Sequence, residues 1–257
     1  MGTLLLVFAG TTAGLIGSLL GMGGGIMLVP LLVLGFGVPM EEAVPASLVC
    51  VVASSCGAAA NFVENKLADV RLAMTLELAT VAGALLGGLV AAFIPPAMLA
   101  VGFGLFALYV ALNFLLVRTD LGASTATGYT PVNYPLGIGG SLVAGGVSAL
   151  LGVGGGPLKV PLMAFGMRVP FKVASATSNL MIGVTAAASV VGYAFRGQLQ
   201  LNLAAPLVVG VLVGANVGSR LMVKAKPTLL KRLFALVLIV VAAQMLWRGG
   251  RVLWPNL

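Results

Sequence analysis

A motif of glycines and prolines occurs twice in this chain, at a constant offset of 131 residues (Gly21 to Gly152). Residues 18–39 read SLLGMGGGIMLVPLLVLGFGVP, and residues 149–170 read ALLGVGGGPLKVPLMAFGMRVP. The same offset relates further pairs without a gap: Ser47 and Ser178, Gly83 and Gly214, Gly87 and Gly218, Pro96 and Pro227. Chance does not keep glycines and prolines in register over such a span, so the chain contains two copies of one ancestral unit.

The duplication predicts a first repeat over 1–120, a polar linker over 121–134 and a second repeat over 135–257. Each repeat has five apolar segments, of which the last three are long enough to cross the ~30 Å hydrocarbon core as helices. The first two are short and flank a glycine cluster, so they form either one broken helix or a hairpin. The segments are 3–20, 24–38, 43–64, 70–93 and 97–117, then 136–150, 157–167, 173–195, 203–223 and 229–247.

The apolar segments leave little polar surface for water to solvate. Hydrophobic residues make up 60% of the chain and charged residues only 8%, whereas soluble domains carry about a quarter charged residues. Within lipid, backbone polar groups must be bonded internally, which apolar segments of this length achieve as helices. The sequence therefore predicts an all-α, multi-pass integral membrane protein whose solvent is the lipid bilayer.

Equivalent loops of the two repeats carry different charges. Loop 39–42 carries Glu41 and Glu42, whereas its counterpart carries Arg168 and Lys172. The uncharged loop at 94–97 corresponds to one with four cations: Lys224, Lys226, Lys231 and Arg232. Because basic residues mark the cytoplasmic side, equivalent loops are predicted to lie on opposite sides of the membrane.

Loops on opposite sides define an inverted repeat, which needs an odd number of elements per half. The prediction is a glycine-broken short-helix hairpin plus three spanning helices in each half. The alternative is a parallel repeat with four spans per half. The inverted arrangement places four loops in the cytoplasm: 65–70, 118–134, 168–172 and 224–232.

Several kinds of chemistry are disfavoured by the residues present. The chain has no histidine, the commonest metal ligand and general base. Its two cysteines, Cys50 and Cys56, lie in an apolar run, where small buried thiols are common. No metal site, cofactor or enzymatic centre is predicted. The net charge of +8 is scattered through short loops, which indicates control of membrane topology rather than nucleic-acid binding.

The two glycine clusters are the first candidate site. Four glycines in five residues are costly inside a helix, and irregular backbone survives at membrane depth only inside protein or beside water. A helix that restarts after such a cluster offers free N–H groups to an anion. Close helix packing is the alternative role of the glycines. The candidate substrate-binding residues are Gly21, Gly23, Gly24 and Gly25 with Gly152, Gly154, Gly155 and Gly156.

Two charged residues lie within apolar segments. Lys159, three residues past the second cluster, is expected to contact an anion, with snorkelling to the interface as the alternative. Glu77 lies in segment 70–93 and is a candidate for proton coupling, or else it reaches the membrane interface.

Polar residues open the third segment of each half and are expected to line the substrate cavity, although hydroxyl groups can also bond back to their own helix. The residues assigned to the substrate site are Ser47, Thr177, Ser178 and Asn179.

The doubled motif, GSLLGMGGGIMLVPLL at 17–32 and SALLGVGGGPLKVPLM at 148–163, resembles the sulfite exporter TauE/SafE family. The Ala174-Ser175-Ala176-Thr177-Ser178 element supports the resemblance. It implies a carrier in a prokaryotic inner membrane for sulfite, sulfonates such as sulfoacetate, or other small anions, mostly exported. It also implies that both glycine motifs and the Thr-Ser elements frame the substrate path. The sequence departs from the pattern at Pro157, at Lys159 and at Pro45-Ala46-Ser47.

These observations predict a secondary transporter, an exporter, for a small anion such as sulfite or an organosulfonate. An anion channel on the same scaffold is the second hypothesis. An intramembrane enzyme using Cys50, Cys56 or Glu77 is the third. A homodimer is a further expectation.

Overall fold

The computed structural model describes residues 2–91, 93–116, 129–224 and 227–253. These residues form ten helices and no strand, with five helices on each side of the linker in matching order. Linker residues 121–128 lie outside the described residues. The first repeat contains α1 (Thr3–Leu20), α2 (Gly25–Pro30), α3 (Met40–Glu64), α4 (Val70–Ala91) and α5 (Pro96–Leu116). The second contains α6 (Tyr134–Leu151), α7 (Gly156–Pro161), α8 (Phe171–Phe195), α9 (Leu201–Lys224) and α10 (Pro227–Leu253).

The glycine clusters end one helix and turn the chain back. Gly21 ends α1 and Gly152 ends α6, both with φ at 71°, a left-handed conformation that favours glycine. The returning backbone then lies against the preceding helix in a series of contacts: Gly24 with Ala13, Gly155 with Ala144, Gly140 with Leu162, and Gly166 with Leu136. The two elements therefore form a hairpin in each repeat, and the broken-helix alternative is wrong.

Each returning arm changes to a π-helical turn after its proline, at Leu31–Gly35 and Leu162–Gly166. Proline lacks the N–H group that an α-helix would use, and wider turns of this kind are common where the regular pattern is interrupted. The returning arm of the first hairpin ends at Gly35, earlier than the predicted 38, because the next glycine, Gly37, has a left-handed φ of 68°.

Six helices in the described ranges are long and apolar enough to cross a membrane: α1, α3, α4, α6, α8 and α9. The helices α1 and α6 have 18 residues each, or about 27 Å at 1.5 Å per residue. Helix α1 matches its predicted bounds of 3–20, and α6 is three residues longer than the predicted 136–150. Both are long enough to span, whereas the sequence assigned that length only to the last three segments of each repeat. Spanning by α5 and α10 stays a prediction. Large apolar side chains such as Leu78 and Phe195 are exposed on the outside, where lipid would contact them.

The two repeats interlock through glycines. Helix α1 packs against α9, and the equivalent pair α6 and α4 packs in the same way. A Cβ atom at Gly83 would collide with the Leu142 carbonyl oxygen, and one at Gly214 with the Thr11 carbonyl oxygen. The isolated glycines thus permit close helix approach, as the sequence indicated. Because each repeat packs its first helix on the other repeat's fourth, the repeats form one bundle.

Contacts between helices give their directions. Helices α1 and α9 run parallel, since Val7, Thr11 and Leu15 meet Gly210, Gly214 and Gly218 in the same order. Helices α4 and α8 also run parallel. Their contacts progress from Asp69 with Thr177, through Glu77 with Thr185, to Gly88 with Arg196. Equivalent loops of the repeats, 65–69 and 196–200, therefore lie at opposite ends of this helix pair. The relation of the repeats to the membrane stays a prediction, which these directions support.

Loops predicted to share the cytoplasmic side are joined at one end of the bundle. The Tyr129 hydroxyl donates to Asp69 Oδ2 at 2.6 Å, and the Val132 N–H donates to the Met167 carbonyl at 3.1 Å. Burial and the hydrogen bond to Asp69 raise the pKa of the Tyr129 phenol above its ordinary value, so it remains a donor. Asp69 also accepts the Leu72 N–H at 2.9 Å and so caps α4.

Candidate functional site

The two glycine clusters, far apart in sequence, meet in the interior of the bundle. A Cβ atom at Gly25 would lie 2.6 Å from the Gly152 carbonyl oxygen, and one at Gly156 would lie 3.1 Å from the Gly21 carbonyl oxygen. Ser47 joins them, because its hydroxyl donates to the Gly152 carbonyl at 2.8 Å. All eight predicted glycines are buried. The structure therefore brings Ser47 and both clusters together at the junction of the repeats.

The restarted helices leave part of their backbone free. In the first repeat the N–H groups of Met27 and Leu28 bond to the Gly24 carbonyl. In the second, the N–H groups of Leu158 and Lys159 bond to the Gly155 carbonyl. The residues just before these bonds lie in the first helical turn, where N–H groups have no partner within the helix. In the second repeat Pro157 has no N–H group, so only Gly156 offers one there.

The start of α8 holds buried polar side chains without partners. Ser175, Ser178 and Asn179 are fully buried. The hydroxyl groups of both serines and the Nδ2 and Oδ1 atoms of Asn179 have no hydrogen-bond partner within the described residues. The Ser175 hydroxyl lies beside Gly21 of the first cluster. Buried polar groups are nearly always hydrogen-bonded in folded proteins, so these groups indicate a place where a polar ligand or water is held.

Thr177 lies elsewhere. Its hydroxyl accepts the Asp69 N–H at 2.9 Å and so joins α8 to the loop between α3 and α4. Successive helix residues differ by about 100° in direction. The structure therefore separates Thr177 from Ser178, although the sequence assigned both to one site.

Lys159 and Glu77, treated separately in the sequence, lie together. The Lys159 Nζ is 3.5 Å from Glu77 Oε2. It donates to Thr185 Oγ1 at 2.7 Å, and the Thr185 hydroxyl lies 2.7 Å from Glu77 Oε1, to which it can donate. The exposed fractions of the two charged side chains are 1% and 13%. In this arrangement both side chains are directed toward each other within the bundle.

Thr185 was missed by the sequence reasoning. It follows Ser178 by seven residues, or two helical turns, so the two side chains share one side of α8. That spacing could have indicated it, but the sequence contains many such pairs. Its importance depends on Glu77, which is 108 residues away in the chain.

The charged cluster of Lys159, Thr185 and Glu77 draws on both repeats, and it has no charged copy at the equivalent positions. The equivalent residues are Leu28, Ser54 and Val208. Leu28 is fully buried, and Ser54 lies 3.5 Å from Ser18 through their hydroxyl oxygens. The two repeats thus have matching helices around the site, but only one of the two sets of equivalent positions carries charged side chains.

The two cysteines differ in their solvent exposure. Both are free, with Cys50 buried and Cys56 exposed. In the described part of the chain no group of three or more His, Cys, Asp or Glu side chains could hold a metal ion.

Two apolar grooves flank the hairpins, at equivalent places in the two repeats. One of about 240 Å³ lies between the first hairpin and α10, where Ile26, Pro30 and Leu238 line it. The other, of about 390 Å³, lies between the second hairpin and α5, beside Leu158 and Pro161. Neither groove includes Lys159. The Lys159 side chain is 1% exposed and is therefore enclosed in this conformation, while Glu77 is 13% exposed.

A polytopic helical bundle with a repeated hairpin, a buried ion pair and unpartnered polar side chains at its centre has the features of a membrane transporter. Comparison with protein families specifies which kind. The chain belongs to the sulfite exporter TauE/SafE family, whose model matches residues 6–245.

The names of similar proteins agree on the class. YunE of Bacillus subtilis (strain 168), named "Probable membrane transporter protein", is 27% identical over 97% of this chain and 99% of the relative. A "Probable membrane transporter protein" of Xylella fastidiosa (strain 9a5c) is 30% identical over 96% and 95%. MJ0441 of Methanocaldococcus jannaschii, named likewise, is 25% identical over 94% of both chains. No solved structure matches this chain. The family and these names indicate a membrane transporter rather than an enzyme.

Proposed function

We propose that this transporter is a secondary carrier that exports a small anion, with sulfite or an organosulfonate as its substrate. The observation that carries the proposal is Lys159, a cation that is 1% exposed and lies just after the second glycine cluster. A cation at membrane depth is costly and is usually kept for a functional reason. The family supports a sulfur oxyanion as the first substrate to test.

The anion would lie between the glycine clusters and α8. Lys159 would supply the charge, while Ser178, Asn179 and Ser47 would supply hydrogen bonds. The unpartnered buried atoms of Ser178 and Asn179 support this assignment, since an oxyanion would satisfy their donors. Glycine at the clusters would let the substrate approach the backbone closely.

Alternating access would arise from movement of one set of helices against the other. Inverted repeats support such movement because the two halves can exchange conformations around a central site. The opposite ends occupied by loops 65–69 and 196–200 support that arrangement. The enclosed Lys159 fits an occluded state, from which either side would have to open. A homodimer in a prokaryotic inner membrane is the assembly and location that we propose.

The test is uptake of labelled sulfite, sulfoacetate and thiosulfate into proteoliposomes, for the wild type and for Lys159→Ala. Loss of a charge-assisted contact of about 1.5–3 kcal/mol should lower the flux at low substrate at least tenfold. Lys172→Ala, which removes a cation at the end of the bundle, is the matched control and should keep its flux. Size-exclusion profiles and thermal unfolding in detergent show whether each variant folds.

The outcomes separate the hypotheses. Saturable flux with counterflow favours the carrier, whereas conductance far above carrier rates would favour an anion channel. Absence of flux for all three anions would overturn the sulfur assignment. A variant in which Cys50 and Cys56 are replaced by alanine tests the enzyme hypothesis, because full transport without thiols leaves that mechanism only Glu77.

A further inference from the structure

The buried cation of the proposed site already has an anionic partner within the protein. Lys159 Nζ lies 3.5 Å from Glu77 Oε2, and Thr185 joins the two side chains through bonds of 2.7 Å on each side. An anion that binds Lys159 must therefore compete with Glu77. We propose that Glu77 is a displaceable counter-ion, and that it takes up one proton whenever the transported anion replaces it at Lys159.

This inference rests on the proposed function and adds a coupling ion to it. Two anionic groups at one buried lysine would leave an uncompensated charge in a medium of low dielectric constant, which costs several kcal/mol. Protonation of Glu77 removes that charge. The proton comes from the aqueous phase on the side where the anion enters, and it leaves when the carboxylate pairs with Lys159 again.

Thr185 can serve both states of the cluster. Its hydroxyl oxygen lies 2.7 Å from Glu77 Oε1 and 3.2 Å from the Met181 carbonyl oxygen. While Glu77 is ionised, the hydroxyl donates to the carboxylate. Once Glu77 is protonated, the hydroxyl can turn to Met181 and accept the new proton of the carboxyl group. No hydrogen bond is lost in the exchange, so Thr185 is a positioning residue for the proton.

Other titratable groups on the surrounding helices lie farther along the bundle. Within the described residues, α4 carries Arg71 nearer its start, α6 carries Tyr134 in its first turn, and α8 carries Lys172 near its start. Toward the other end, Tyr193 donates to the Ala149 carbonyl and Arg196 donates to the Gly88 carbonyl. In this part of the chain the salt bridge of Glu77 is with Lys159.

The mechanism moves one proton with each anion, in the same direction. An inward proton gradient would therefore drive anion uptake. Export would require an outward anion gradient that exceeds the opposing proton gradient. Apparent anion affinity should also depend on pH, because only protein with a protonated Glu77 accepts the anion. Above the titration range of this carboxyl, the apparent Kd should rise about tenfold per pH unit.

The experiment measures proton movement driven by the anion. Proteoliposomes enclose a pH-sensitive dye, the voltage is clamped with potassium and valinomycin, and sulfite, sulfoacetate or thiosulfate is added outside at mildly alkaline pH. Wild-type vesicles should acidify inside at the rate of labelled-anion uptake. Glu77→Gln should still take up anion but should lose the acidification and the tenfold pH dependence.

A second variant controls for folding. Lys159→Leu with Glu77→Val installs the residues found at the equivalent positions of the opposite repeats, Leu28 and Val208, and removes both charges together. It should fold and should lose both anion flux and proton flux. If Glu77→Gln does not fold, Glu77→Asp replaces it and should shift the pH profile of uptake.

The results distinguish the two proposals. Anion flux in the wild type without acidification would overturn the coupling while leaving the carrier intact. So would acidification that persists in Glu77→Gln, or an unshifted pH profile in Glu77→Asp. Absence of any anion flux in the wild type would overturn the proposed function, and the coupling that rests on it would fall as well.

Discussion

At the scale of single residues, three polar side chains occupy positions whose repeat partners are apolar. Lys159, Glu77 and Asn179 correspond to Leu28, Val208 and Leu48. A polar or charged side chain in the membrane interior lowers stability unless it is paired. The apolar partners show that the fold itself does not need polarity at these positions. The proposed substrate site would account for the polar residues at these positions.

Asn179 permits a direct test of that reasoning. Asn179→Leu removes an amide whose two polar atoms have no partner in the described residues, and it installs the residue found at Leu48. The free energy of unfolding should stay the same or rise by about 1–3 kcal/mol, because an unsatisfied buried amide is removed. Anion affinity should fall at least tenfold, for loss of one hydrogen bond to a charged ligand.

Thermal unfolding in detergent and the KM of anion uptake provide the two readouts. Lower stability together with an unchanged KM would show that Asn179 supports the helix bundle and does not contact the substrate.

At the scale of helices, glycine spacing decides which elements can touch. Gly83 and Gly87 of α4 face the backbone of α6, and Gly214 and Gly218 of α9 face the backbone of α1. Without a hydrophobic driving force between helices in lipid, close backbone approach supplies much of the packing energy. These interfaces join the repeats, and they hold the hairpins whose glycine clusters form the candidate site.

Gly83→Ala should destabilise the protein, because its methyl group would collide with the Leu142 carbonyl oxygen. Overpacking of this kind typically costs about 1–3 kcal/mol. The matched control is Gly88→Ala on the same helix, where a Cβ atom would meet nothing within 4 Å. That change should be neutral, or stabilising by about 0.5–1 kcal/mol through better helix propensity.

Melting temperatures of the two variants in detergent test this difference. Equal stability of the two would show that the α4–α6 interface tolerates a wider separation than the structure indicates.

At the scale of the whole molecule, the arrangement of loops supports opposite orientations of the repeats. Asp69 precedes α4 and contacts Thr177 near the start of α8, whereas Arg196 follows α8 and contacts Gly88 near the end of α4. The loop at 65–69 and its repeat equivalent at 196–200 therefore lie at opposite ends. In a membrane, this would place them on opposite sides.

Single cysteines in a Cys-free background test the topology. Lys66 and Gln200 are both exposed and lie in these two loops. An impermeant maleimide should label Gln200→Cys in intact cells, but Lys66→Cys only after the membrane is permeabilised, because the positive-inside rule places 65–70 in the cytoplasm. Labelling of both cysteines from the same side would contradict the inverted repeat. The reverse pattern would keep the inversion but would reverse the orientation.

Much of the fold could be predicted because its signals are local. Segment bounds came from apolar runs and from glycine and proline, which act within a few residues. The predicted segment 70–93 corresponds to α4 at Val70–Ala91, and 173–195 corresponds to α8 at Phe171–Phe195. The third segment was predicted to start at 43, but α3 begins at Met40, directly after extended Pro39.

The candidate site could be predicted only in part, because its contacts join distant positions. The glycine clusters and Lys159 were recognisable, since their residue types are costly at membrane depth. The sequence did not show that Glu77 is the partner of Lys159. It also did not show that Thr177 accepts a hydrogen bond from the Asp69 N–H. A pattern along one helix does not show which face of another helix will lie against it.

By itself, the sequence determined the membrane environment, the two repeats, the glycine breaks and the approximate bounds of the helices. These follow from composition, from periodicity and from backbone preferences of single residues. Only the tertiary structure decided that α1 packs on α9 and α4 on α6, and that Glu77 neutralises Lys159. The reason is physical: these choices depend on which helix surfaces fit closely together, and that fit involves residues more than a hundred positions apart.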